Sequence, residues 1–182
     1  MDVVSHNDLT IDLSKIELTE KSKAMVIAPL FGTACTNIHE IQKYCQDNNL
    51  LLIEDAAQAL AITDGVNHCG TFGDVGTFSF YADKTITTAE GGYVVTDNEK
   101  IYEKMRYLRN QGRMNSGTFL HPEIGYNFRI TDMQAALGLS QLEKLSISKL
   151  RREKYTKPIN TTSEIKWSFL SSTRILIIYL FG

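Results

Sequence analysis

Four side chains of different chemistry lie close together in this sequence. Asp55 and Gln58 belong to the run Glu54-Asp-Ala-Ala-Gln58, and Ser79 and Lys84 to Ser79-Phe-Tyr-Ala-Asp-Lys84. They supply a carboxylate, an amide, a hydroxyl and an amine, each where an apolar run gives way to polar residues. A carboxylate can keep a ring nitrogen protonated, a hydroxyl can take a phosphate oxygen, and a lysine can link covalently to an aldehyde. Together these are the groups that hold pyridoxal phosphate. Each also has a plainer reading. Asp55 can cap a helix after a strand, Gln58 can be a surface polar residue, Ser79 is unremarkable at a strand end, and Lys84 can be an exposed loop lysine.

The elements that must position these groups alternate between strand and helix patterns. Residues 24–28 form a short apolar run closed by Pro29 and Gly32, which predicts a buried strand. Asn37 with Glu40 three residues later predicts a capped helix through Ile38, Ile41, Tyr44 and Cys45, ending at Asn48 and Asn49. Residues 50–54 follow as a strand that Asp55 closes, and 75–80 and 93–96 supply two more. Residues 98–110 predict an amphipathic helix. Thr131 with Gln134 predicts a capping box, opening a helix to about Leu150 with Met133, Ala136, Leu137, Leu142 and Leu145 on one side. This alternation predicts an α/β fold, a mostly parallel sheet flanked by helices. In such sheets ligands bind beyond the carboxyl ends of the strands, where Asp55 falls.

Composition sets outer limits. The chain has 182 residues, 43% of them apolar and 22% charged, enough for one large domain or a piece of something larger. A net charge of −2 gives no electrostatic case for nucleic acid or an anionic membrane. Three cysteines, Cys35, Cys45 and Cys69, form no C-x-x-C pair and predict reduced thiols in a cytoplasmic protein. The N-terminus lacks the pattern of a signal peptide. The apolar run 175–181 is far short of the ~18 residues of a membrane span. His39 near Cys35 and His68 beside Cys69 lack further ligands at metal spacing, so no metal is expected. Gly70, Gly73 and Gly76 fit neither a dinucleotide fingerprint nor a P-loop and predict a structural turn.

The segments IEDAAQAL, GTFGDVGTFSFYADKTITTAEGGYVVT and GYNFRITDMQAALGLSQLEKL stand in that order across residues 12–155. They resemble the sugar-aminotransferase family of the DegT/DnrJ/StrS type, enzymes that use pyridoxal phosphate. The resemblance implies part of the large domain of a fold-type I enzyme of this class. It implies that Lys84 is the catalytic lysine, linking to the cofactor and then moving the α-proton. Asp55 would face the pyridine nitrogen, Gln58 the ring's phenolic oxygen, and Ser79 the phosphate. Gly125-Tyr-Asn127-Phe-Arg129 looks like the segment that reaches the phosphate of a neighbouring subunit, which makes Asn127 a cofactor-binding residue and implies a homodimer in the full-length enzyme. The implied substrates are an amino acid such as glutamate and a nucleotide-linked keto-sugar, for polysaccharide or other glycoconjugate synthesis. A sister branch that dehydrates sugars carries histidine in place of this lysine.

The chain also departs from the family pattern. Family subunits are about twice as long. Residues 1–155 are expected to form a partial cofactor-binding large domain, and residues 156–182 a divergent tail where a small C-terminal domain should begin. Pro29-Leu-Phe-Gly32 stands where members often carry a histidine. These departures predict weak cofactor uptake and no transfer by the chain alone. They also keep open the alternative of a degenerate, non-catalytic remnant.

Overall fold

The computed structural model describes residues 3–5, 8–115, 117, 119–155 and 174–178. Of the expected tail, residues 156–173 and 179–182 lie outside the described residues. The chain divides into two compact units, Met1–Phe78 and Ser79–Gly182.

In the first unit, β1 (Val3–Ser5) and β2 (Asp8–Ile11) form an antiparallel pair that the sequence pattern does not announce. Three parallel strands follow: β3 (Ala24–Ile27), β4 (Leu51–Asp55) and β5 (Val75–Ser79), with β4 between the other two. Helix α1 (Ile38–Asp47) connects β3 to β4 and turns Ile38, Ile41 and Cys45 onto Met25, Ile27 and Leu52. The two-residue period of a strand assigns every side chain to one face or the other. On β4, Leu52 and Glu54 go inward, while Leu51 and Asp55 stay exposed.

Asn37 precedes α1 as expected, but its side chain makes no cap. Its Nδ2 donates to the Ile11 carbonyl at 3.1 Å instead. The pull of β2 thus outweighs the local bond that the sequence favoured.

Glu54 is only 1% exposed, and its carboxylate is met by three backbone donors. Gly70 N–H reaches Oε2 at 2.7 Å, and Phe72 and Gly73 N–H reach Oε1 at 2.6 and 2.8 Å. Asp74 completes the strap by accepting the Leu52 N–H at 2.8 Å and donating its own N–H to the Leu52 carbonyl at 2.8 Å. The chain passes close enough here that a Cβ at Gly76 would overlap the Gly70 carbonyl. The three glycines therefore serve a structural turn, as the spacing predicts. None of the three cysteines is in a disulfide, and burial, then the nearby Glu54 carboxylate, pushes the Cys69 thiol up to about 12.

In the second unit, β6 (Gly92–Thr96) leads through the Asn98 cap into α2 (Glu99–Arg109). Asn98 Oδ1 accepts the N–H groups of Lys100 and Ile101. Thr131 and Gln134 form the predicted capping box of α3 (Asp132–Leu142). That helix is shorter than expected: it ends at Glu143, and α4 (Leu145–Tyr155) begins anew. Its expected apolar face is not buried, for Met133 is 82% exposed and only Leu145, in α4, is fully enclosed. The closing apolar run, which shows no pattern in sequence, contains β7 (Arg174–Ile178), paired antiparallel with β6.

Burial raises the Glu54 carboxyl above its usual range, while the N–H groups of Gly70, Gly73 and Phe72 pull it partway back. A raised folded-state value means that the folded chain binds this proton more tightly than the unfolded chain does. The resulting stability is full below the ordinary glutamate range and is lost as pH rises through the folded value. Glu54→Gln should remove that slope from urea melts run across mildly acidic pH. Glu54→Ala, which strands three buried N–H groups, should cost about 3 kcal/mol. An unchanged urea midpoint in the alanine variant would show that the strap does not depend on Glu54.

Candidate functional site

Asp55 is the last residue of β4 and is exposed, as expected of a group at the carboxyl end of a parallel strand. Its Oδ1 accepts the Ala57 N–H at 3.2 Å and the Thr77 hydroxyl at 3.5 Å. It therefore does what a cap would do for the turn after the strand and still presents a carboxylate outward. Three residues on, Gln58 is also exposed. Its Oε1 accepts the backbone N–H of Phe31 at 2.9 Å. Asp55 and Gln58 thus lie together in the first unit, one turn apart beyond the strand end.

Ser79 ends β5 and opens the second unit. Its Oγ accepts the Tyr81 N–H at 3.2 Å, which leaves the hydroxyl proton free to donate. Lys84 sits five residues further along, in a loop whose ends are tied to each other. Phe80 N–H donates to the Gly91 carbonyl at 2.8 Å, and Thr88 N–H donates to the Phe80 carbonyl at 3.0 Å. The Thr87 hydroxyl reaches the same Phe80 carbonyl at 3.0 Å. Within the loop, Lys84 N–H donates to the Tyr81 carbonyl at 3.1 Å, and Lys84 Nζ lies 3.7 Å from the Asp83 carboxylate. The Lys84 side chain is 23% exposed and that of Asp83 72%, so the amine is the sheltered member of the pair. Thr88, 1% exposed, anchors the loop against α3, where Gly138 leaves room for its methyl group.

Asn127 lies on a strand-like segment laid across the end of α2. Tyr126 N–H donates to the Leu108 carbonyl at 2.8 Å and Phe128 N–H to the Arg109 carbonyl at 3.0 Å. Gln111 N–H returns a bond to the Tyr126 carbonyl at 2.8 Å. The last carbonyls of a helix have no partner within it, and here this segment supplies them. Asn127 itself is exposed, and the rings of its chain neighbours Tyr126 and Phe128 stack on each other with centroids 5.1 Å apart.

Asn110, which the sequence reading passed over, caps α2 and binds this segment through its side chain. Its Oδ1 accepts from the Arg129 guanidinium, and its Nδ2 donates to the Arg113 carbonyl at 3.1 Å. Phe31 was missed as well. The signal available for it was a Phe-Gly pair directly after a strand.

Each unit by itself offers groups of the kinds that suit pyridoxal phosphate. The first presents an exposed carboxylate and an amide whose NH2 makes no hydrogen bond among the described residues; the second presents a hydroxyl with a proton to give and a sheltered amine.

The sequence pattern of the DegT/DnrJ/EryC1/StrS aminotransferase family matches residues 2–164. The chain is 38% identical over 146 residues to GDP-perosamine synthase of Vibrio cholerae, covering 80% of this chain and 40% of that protein. Among solved structures it resembles Helicobacter pylori PseC, an aminotransferase involved in the biosynthesis of pseudoaminic acid. The TM-score is 0.73 at 36% identity, over 80% of this chain and 40% of that one. It also resembles the E. coli GDP-4-keto-6-deoxy-D-mannose-3-dehydratase with bound hydrated PLP. There the TM-score is 0.71 at 31% identity, over 85% of this chain and 45% of that one. The chain spans less than half the length of each of these relatives.

Gly112 has φ +77°, and a Cβ there would overlap the Glu123 carbonyl. Gly112→Ala should therefore loosen the segment that carries Asn127, costing at least about 1 kcal/mol. Faster amide exchange at Tyr126 and Phe128 would register the change, and unaltered exchange would refute it.

Proposed function

Because the chain belongs to the DegT/DnrJ/EryC1/StrS aminotransferase family, whose cofactor is pyridoxal phosphate, we propose that it serves a sugar transaminase. In this reading an amino group moves from an amino acid such as glutamate to a nucleotide-linked keto-sugar. The supporting observation is Lys84: a largely sheltered amine on a tied loop, five residues after a strand-end serine hydroxyl.

When bound, the cofactor supplies the electron sink that lets a carbon–hydrogen bond next to nitrogen break. The chain's own groups supply the rest. Lys84 Nζ would hold the cofactor covalently and carry the transferred proton. Asp55 would favour a protonated ring nitrogen, Gln58 Nε2 would donate to the ring oxygen, and the Ser79 hydroxyl would donate to the phosphate. Asn127 is exposed and, on this proposal, donates to the phosphate bound by a second copy of the chain, which makes the working unit a homodimer.

The structural likeness to a sugar 3-dehydratase raises dehydration as a second reading. The lysine at position 84 favours transamination, because the dehydrating branch that the sequence resembles replaces it with histidine. Both readings share the scaffold, and one side chain separates them.

Borohydride reduction of the cofactor-loaded protein followed by peptide mapping should label Lys84. A label on Lys100 or Lys104 would overturn the assignment. Asp55→Asn should keep the adduct at Lys84 yet slow the half-reaction with glutamate about a hundredfold, or ~2.7 kcal/mol. Wild-type rates in that variant would show that the carboxylate only caps its turn.

A further inference from the structure

Gln58 has two chemically opposite ends, and the structure decides which one faces outward. Phe31 and Gly32 form a turn just after β3, and both have left-handed backbone, with φ of +54° and +75°. Glycine adopts this conformation freely, whereas phenylalanine is strained in it. Ring burial does not offset that strain, because Phe31 is 78% exposed. What the conformation does achieve is to aim the Phe31 N–H at Gln58 Oε1, 2.9 Å away and 27 residues on in sequence. The turn is closed by Thr33 N–H donating to the Leu30 carbonyl at 3.0 Å. It rests against the Gln58 backbone, for a Cβ at Gly32 would lie 3.8 Å from the Gln58 carbonyl oxygen.

A freely turning carboxamide offers an acceptor and a donor with equal ease. With Oε1 committed to Phe31, the end left over is Nε2, which makes no hydrogen bond among the described residues. We infer that the left-handed turn at Phe31 and Gly32 is a positioning device for Gln58. It engages the amide oxygen so that the NH2 group is the end offered to an anionic oxygen on the cofactor ring. Phe31 is thus a positioning residue that acts through its backbone rather than its ring. The inference rests on the cofactor reading above and adds the reason why a glutamine there acts as a donor. It also assigns a role to Pro29-Leu-Phe-Gly32, the stretch that departs from the family pattern.

Three variants separate the two ends of the amide. Gln58→Glu keeps an acceptor for the Phe31 N–H and loses the donor. Gln58→Leu loses both. Phe31→Pro removes the backbone N–H and, because proline cannot adopt φ +54°, the left-handed turn with it, while leaving the Gln58 side chain intact. In cofactor-free protein, the Phe31 amide should stay protected from hydrogen exchange in Gln58→Glu and exchange about tenfold faster in Gln58→Leu, the change expected from losing one hydrogen bond.

With pyridoxal phosphate added, the pH midpoint of the bound cofactor's absorbance should rise in Gln58→Glu, because a carboxylate facing an anionic oxygen favours the protonated ring system. Phe31→Pro should shift the midpoint in the same direction as Gln58→Leu and weaken cofactor binding about tenfold, although no side chain facing the cofactor has changed. A role confined to holding the turn would leave Gln58→Glu indistinguishable from wild type in both measurements. Equal Phe31 exchange in wild type and Gln58→Leu would overturn the inference, as would an unshifted midpoint in Phe31→Pro while Lys84 still gives a borohydride-reducible adduct. Absence of that adduct from every variant and from wild type would overturn the cofactor reading together with it.

Discussion

A carboxylate removed from water must be surrounded by donors, and Glu54 takes all of its donors from the backbone of one loop. Much of the first unit depends on that arrangement. The connection between β4 and β5 is long and contains no helix of its own, and Glu54 and Asp74 fasten it to β4. The same bonds hold β4 in register. Slipping the strand by one residue would exchange its two faces, sending Glu54 outward and Asp55 into the core. Adjacent carboxylates thus have opposite roles. One is spent on structure, and the other is left at the strand end with capacity to spare.

The second unit follows the same logic with a helix in place of a strand. The final carbonyls of α2 need donors, and Tyr126 and Phe128 provide them from the segment that carries Asn127. Fixing the flanking residues by their backbones leaves the Asn127 side chain facing outward. The Lys84 loop is likewise held by main-chain bonds between Phe80, Thr88 and Gly91, so its amine is not used up in tying the loop. In both places main-chain bonds do most of the tying, and neither the Asn127 amide nor the Lys84 amine is needed for it.

The scaffold by itself does not select the reaction. An aminotransferase and a sugar dehydratase both match it, with TM-scores of 0.73 and 0.71. Shared architecture reflects common packing, while chemistry resides in particular groups set on it. On the proposed function, that group is the amine of Lys84. The amide of Gln58 illustrates a subtler form of the same point, since its identity and its orientation are controlled by different parts of the chain.

The sequence alone was enough to read the alternation of β3, α1, β4 and β5, the helix α2 and the Thr131–Gln134 capping box. These are set by side-chain period and by bonds spanning two to four residues, which a linear text displays. It also nominated Asp55, Gln58, Ser79 and Lys84 by their types and spacing, and Asn127 by resemblance to the family. Other features needed the folded chain. Asn37 gave up its cap for the Ile11 carbonyl, the expected single helix after Thr131 divided at Glu143, and the apolar run near the C-terminus found β6 as a partner. The burial of Glu54 among Gly70, Phe72 and Gly73, and the reach of Phe31 to Gln58, joined residues 16 to 27 positions apart. Such bonds depend on where the backbone passes in space, and no local preference of either partner encodes that path.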